Sequence, residues 1–224
     1  MPADRIASPL TERLTVAALL TLTFATGLVD AVSVLILGHV FVANMTGNAI
    51  FLGFLFVPRT GVDLTAAVVA FGGFLGGAVV GGRLVRALWR NTRRWLTVAL
   101  GGETVLLAVL GALAGAGVLR YHDGSKLILI VGLAVAFGVQ NSTARQFGIQ
   151  ELYTTVLTST IVGIGVDSRL AGGTGRREKL RYSVVFVMIA GAVAGATLSR
   201  FAVAPVIGLA AGLVAVSTLL FRYG

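Results

Sequence analysis

The sequence predicts an all-α polytopic integral membrane protein, with six transmembrane helices, two short re-entrant or half-span segments and two inverted repeats. Three observations carry this. The chain is 56% hydrophobic and 12% charged, with a mean hydropathy of +0.93, whereas a soluble domain carries about 25% charged residues. Apolar runs long enough to cross a bilayer recur along the whole chain. The basic residues gather in two short loops between those runs. All 224 residues read as one membrane domain.

Taken in order, runs of about 17–25 residues fall at 14–37, 65–88, 95–118, 126–146, 181–200 and 203–221. The first follows a short basic leader. Asp30 and a weak cleavage context argue against a signal peptide there, and the later spans would hold the chain in the membrane regardless. Run 65–88 carries Gly73, Gly77 and Gly81 at four-residue spacing, and run 181–200 repeats this with Gly191 and Gly195. Small residues at that spacing let helix backbones approach closely, within the fold or between protomers. Run 95–118 contains Glu103, which this boundary puts toward the cytoplasmic end.

Two shorter runs, 40–57 and 151–166, are interrupted by polar groups: "FVANMTGNAIFLG" in the first and "YTTVLTSTIVGIG" in the second. Whether they cross decides the topology. The loop "GRLVRALWRNTRR" has five Arg and no acid, and "DSRLAGGTGRREKLR" is the second basic loop. Basic loops stay in the cytoplasm. Eight full spans would put the two loops on opposite sides. Six spans with two returning segments put both loops and both termini inside, and leave outside only Arg59, Arg120, Lys126 and Arg200. The second solution satisfies the charge rule, and it implies a multi-pass protein of the bacterial inner membrane with cytoplasmic N- and C-termini.

A shift of 112 residues superposes Thr46 on Thr158, Gly47 on Ser159, Asn48 on Thr160 and Gly53 on Gly165, and pairs Asp30 with Ser142. The repeats cover about 14–118 and 126–221. Three spans per half is an odd number, so the halves lie upside down relative to one another. Inverted repeats with discontinuous helices at their interface point to a transport site.

"TGLVDAVSVLILGHVFVANMTGNAIFLG", "GVQNSTARQ" and "TVLTSTIVGIGVDSRL" together resemble the YoaK-like family of bacterial membrane proteins, which carry a domain of unknown function. The resemblance covers nearly the whole chain, and "ANMTGN" is its most specific block. It implies six transmembrane helices and no particular substrate. Ser159 stands where the first repeat has Gly47.

Asn44 and Asn48 share a helix face with Thr46 nearby, and Gly47 allows the backbone to turn. With Thr158 and Thr160 from the second run, these groups suit a constriction that replaces the water around a small polar solute; equally, they suit hydrogen bonds that glue helices together. Asp30 lies inside the first span, where a carboxylate costs roughly 2.5–3.5 kcal/mol and is a functional candidate by default. "GVQNSTAR" adds Gln140, Asn141, Ser142 and Arg145. Three roles stand open for Asp30: a proton carrier, a partner of Arg145, or a structural acceptor. Arg145 and Glu103 are the candidate charge partners.

Much is excluded. Without Cys there is no disulfide or thiolate metal site, and His39 and His122 lack a carboxylate constellation for a metal. No phosphate loop, nucleophile elbow or HExxH occurs, and the loops are too small for a soluble catalytic domain. A net charge of +9 confined to two loops is an orientation signal and not a nucleic-acid face. The reading is a non-enzymatic transporter or channel without cofactor. Its partners are the lipid bilayer and a small polar solute or ion, and there is room for a homodimer. The alternative is a scaffold that packs on other membrane proteins through its Gly ladders.

Overall fold

The structure is a computed structural model that describes residues 8–57, 61–121, 123–147, 157–175 and 177–223. Among them six helices are long and apolar enough to cross a bilayer. They are α1 (Glu12–Val32, continued by a π-helical turn Ser33–Leu37), α3 (Leu64–Leu88), α4 (Thr92–Gly115), α5 (Lys126–Ala144), α7 (Glu178–Leu198) and α8 (Val203–Tyr223). Two short apolar helices, α2 (Met45–Gly53) and α6 (Leu157–Val166), lie between them. At 1.5 Å per residue each short helix is about 15 Å long, half the hydrocarbon thickness. The start of the second short run, 151–156, falls outside the described residues, as do Arg59 and His122.

Local chemistry sets the helix ends. The Asp63 side chain accepts the Ala66 N–H at 3.0 Å and starts α3, and Asn91 accepts the Arg94 N–H at 2.9 Å and starts α4. That second cap corrects the expected 95–118 boundary. The helix runs through Arg93 and Arg94 from Thr92, so Glu103 sits at the middle of α4 and not near one end. Basic side chains in the first turn are tolerated because their long stems let the charged heads reach water.

Glycine contacts fix how the spans pair. Gly73, Gly77 and Gly81 of α3 lie against Val131, Val135 and Val139 of α5, and Gly138 of α5 lies against Phe74 and Ala78. Residue numbers rise together, so α3 and α5 run parallel. In the same way Gly191 and Gly195 of α7 meet Phe24 and Leu28 of α1, and Gly27 meets Met188 and Ala192. By contrast Gly101 meets Thr218 and Gly111 meets Gly208, so α4 and α8 are antiparallel. A methyl at Gly77 or Gly191 would collide with a neighbouring carbonyl, so this closeness needs glycine. Both Gly ladders are used inside the fold.

The pairings place both basic loops at one end. Phe147 after α5 stacks on Phe221 of α8 (5.5 Å, 9°) and packs on Trp95 of α4 at 6.1 Å. Ser217 of α8 donates to the Ala18 carbonyl of α1 at 3.3 Å. The beginnings of α1, α4 and α7 and the ends of α3, α5 and α8 therefore share a basic end. Lys126 meets Asp63 at 2.7 Å at the opposite end. Since α2 joins the far ends of α1 and α3, it starts and finishes on one side; α6 does likewise at the basic end. This is the six-span arrangement.

Candidate functional site

The chain between α1 and α2 includes irregular backbone folded into the bundle, with Val40, Val42 and Ala43 buried. It contains Gly38 (φ 149°) and His39 in the left-handed region (φ 58°), which a non-glycine residue occupies only when its surroundings hold it there. Irregular backbone survives in hydrocarbon only if its polar groups find protein partners, and Asp30 supplies them. Its Oδ1 accepts the Val42 and Ala43 N–H groups at 2.8 and 2.9 Å, and its Oδ2 accepts the Asn44 amide at 2.5 Å. Asn48 reaches back from α2: its Oδ1 accepts the Phe41 N–H at 2.9 Å and its Nδ2 donates to the Phe41 carbonyl at 2.5 Å. The Phe41 ring lies over Gly47, where a Cβ would come within 2.6 Å of it. Asp30 is 4% exposed and Asn48 is fully enclosed.

The structure thus gathers Asp30, Asn44, Gly47 and Asn48 into one knot that holds the entry to α2. Thr46 is not in it; it is exposed on α2. Asp30 accepts these three bonds, as the structural-acceptor role of the three considered requires. Arg145 is exposed at the basic end of α5, and the structure does not bring it to Asp30.

The second half is organised differently. In α6, Thr160 is buried and its hydroxyl has no hydrogen-bond partner among the described residues, whereas Thr158 is exposed. Asn48 and Thr158 therefore do not line one cavity. α2 packs on α3 and α6 on α7. Arg181 of α7 donates to the Gly163 carbonyl at 2.7 Å and pairs with Asp167, so a cation sits at the carbonyl end of α6 where the helix dipole favours one.

The polar band of α5 faces the bundle interior. Gln140 is fully buried and donates its amide to the Thr26 hydroxyl of α1 at 3.0 Å. Asn141 donates to the Phe137 carbonyl at 2.9 Å, and Ser142 to the Val139 carbonyl at 2.9 Å. Sequence reasoning missed Thr26 as a partner and Thr143 altogether. It gave Glu103 only a charge-partner role, yet Glu103 is 2% exposed with neither carboxyl oxygen hydrogen-bonded among the described residues. Periodicity held the clue: Leu96, Leu100, Glu103, Leu107 and Leu110 form one buried stripe.

Among the described residues no group of three His, Cys, Asp or Glu is placed to hold a metal. At the far end, the Lys126 ammonium donates to Asp63 and, with burial opposing and backbone N–H groups assisting, holds that carboxyl below its ordinary value.

No solved structure matches the chain. It is 33% identical over 160 residues to the UPF0700 transmembrane protein YoaK of Bacillus subtilis (strain 168), an alignment covering 69% of this chain and 67% of that protein. The family described as "Protein of unknown function (DUF1275)" matches residues 18–220, almost the whole helical bundle built above, and the chain belongs to that family of YoaK-like transmembrane proteins.

Proposed function

We propose that this protein is a small transporter or channel that moves a small polar solute or ion across the bacterial inner membrane, with both basic loops and both termini in the cytoplasm. One observation carries the reading: each half of the chain holds one half-span helix, and the two enter from opposite ends of the bundle. Discontinuous helices in inverted halves are the mark of transport sites.

The helix contacts support an inverted repeat. The first span of each half pairs in parallel with the second span of the other, α1 with α7 and α5 with α3, while the third spans, α4 and α8, pair with each other. Matching these contacts sets Gly27 against Gly138 and Asp30 against Asn141. It also sets Gly77 against Gly191 and Gly81 against Gly195, a shift of 114 residues against the 112 read from the motifs. An axis relating the halves runs between α1 and α5, beside the Gln140–Thr26 bond. The scaffold alternative loses support because its Gly ladders are buried in these pairs.

Reconstituted liposomes test the reading. Purified protein should accelerate flux of at least one member of a panel of inorganic ions and small neutral solutes over protein-free vesicles. Replacing Gly77 and Gly191 together by Leu should abolish that flux. No flux across the panel, from protein that remains folded, would overturn the proposal.

A further inference from the structure

The interior of the bundle holds a group that the knot around Asp30 leaves unexplained. Glu103 stands at the midpoint of α4, 2% exposed, with both carboxyl oxygens unpartnered among the described residues. Two contacts locate what faces it. Trp95 packs on Phe147 toward the basic end, and Gly132 lies under Leu110 toward the other. Between these brackets α4 and α5 run antiparallel, and Glu103 falls level with Val139. The α5 face that joins Gly132 to Phe147 passes through Ala136, Gln140 and Thr143 at helical spacing. Gln140 and Thr143 are 0% and 1% exposed.

Those two residues also carry unsatisfied oxygens. Gln140 turns its amide nitrogen to Thr26 of α1, and its Oε1 has no partner. The Thr143 hydroxyl is unpartnered too. Elsewhere in the spans Thr15, Thr23, Thr26, Thr104, Thr197 and Thr218 donate to the carbonyl one turn back. Thr143 does not. Trp95 Nε1 is likewise unpartnered, but it is a donor and cannot ligate a cation. One seam thus collects a carboxyl, an amide oxygen and a hydroxyl, all oxygen donors.

We propose that Glu103, Gln140 and Thr143 form a buried site for one small cation, a proton or an alkali ion, in the α4–α5 seam. A carboxylate in hydrocarbon requires a counter-charge, and the described residues provide none at this level. Lys126 and Arg145 lie at the two ends of α5. Arg222 and Tyr223 lie at the end of α8, and Arg93 and Arg94 in the first turn of α4. On α8 the buried groups nearest this level are Val214, Ser217 and Thr218, and on α1 Thr23 and Thr26, none of them ionisable; Asp30, one turn beyond Thr26, is a second buried carboxyl and is held by Val42, Ala43 and Asn44. Amide and hydroxyl oxygens then replace the ion's water, and a proton would be shared between Glu103 and Gln140 Oε1. This site stands apart from the transport reading, because binding is measured without flux.

The test uses the full chain in detergent, and the probes are pH and the chlorides of sodium, potassium and choline. Thermal unfolding is followed from mildly acid to mildly alkaline pH. If a proton is the occupant, the midpoint falls as pH rises, whichever salt is present. If an alkali ion is the occupant, sodium or potassium restores the midpoint at alkaline pH and choline does not. Glu103→Gln should lose either response while Glu12→Gln keeps it. A second measurement needs no variant: an apolar carbodiimide should label Glu103, faster in acid for a proton site and blocked by alkali ions for an ion site. Parallel profiles for wild type and Glu103→Gln overturn the site, as does carbodiimide labelling that is absent or indifferent to both pH and salt.

Discussion

Asn48 brackets the Phe41 peptide with two hydrogen bonds, accepting its N–H at 2.9 Å and donating to its carbonyl at 2.5 Å. A side-chain amide here imitates the pairing that a neighbouring β-strand would offer. Asn48→Leu removes both bonds and leaves buried backbone groups without partners, at roughly 1–3 kcal/mol each. Denaturant unfolding in mixed micelles should show a clear loss of stability. An unchanged midpoint would mean that water or lipid replaces the bracket.

Asp30→Asn keeps one acceptor oxygen for Val42 and Ala43 but turns a second donor toward the Asn44 amide. We expect a destabilised fold that Arg145→Gln does not rescue, since Arg145 is exposed at the basic end. A double-mutant cycle reads this directly, and a coupling above about 0.5 kcal/mol between the two sites contradicts the placement.

Glycines of one helix should respond in opposite ways. A Cβ at Gly77 collides with the Val135 carbonyl, whereas one at Gly76 meets nothing within 4 Å. Gly77→Ala should cost about 1–3 kcal/mol through forced separation of α3 from α5. Gly76→Ala should be neutral or stabilising by roughly 0.5–1 kcal/mol. Gly191→Ala should behave as Gly77→Ala. Equal responses at positions 76 and 77 would refute the close parallel pair.

Because the chain has no Cys, single cysteines report sidedness without background. Cysteines replacing Arg90 and Gly173 should react with impermeant reagent from the same face of intact cells or vesicles, and one replacing Asp123 from the other face. Labelling of positions 90 and 173 from opposite faces would sink the six-span topology.

Asp63 is held below its ordinary value mainly by the Lys126 hydrogen bond. A lowered folded-state value means that the folded form binds its proton less readily than the unfolded form. The pair's stabilisation is complete above the unfolded value and disappears as pH falls through the folded one. Asp63→Asn can still cap α3 but loses the ion pair, so it should be less stable than wild type at neutral pH, approach wild type in acid, and show a flattened acid limb. The comparison is a set of unfolding midpoints in acid for Asp63→Asn against wild type, and an identical acid limb rejects it.

Hydropathy and loop charge made the six spans, the two short helices and the shared side of the basic loops legible, because apolar length and charge placement are additive along a chain. The site was legible only in part. Asp30 was recognised, but its partners are backbone N–H groups of a loop further along the chain, and main-chain donors leave no trace in residue identity. Glu103 was placed too near one end because the Asn91 cap carries α4 through two arginines. Thr143 was missed because, beside Gln140, Asn141 and Ser142, one more helix hydroxyl looks self-satisfied until its rotamer is seen. The motifs suggested a repeat, and its register would depend on which glycine meets which carbonyl.

The crosswise pairing of α1 with α7 and α3 with α5 has a consequence for how the chain is made. The N-terminal segment enters the lipid first, but its glycine-fitted neighbour emerges from the ribosome only after most of the chain has been synthesised. Contacts so distant in sequence form slowly, and a nascent half is an incomplete object that exposes Gly27 and its polar surroundings to lipid or to insertion machinery. Truncation after α4 should therefore yield no compact fragment, whereas the two halves produced as separate polypeptides in one membrane should find each other and assemble.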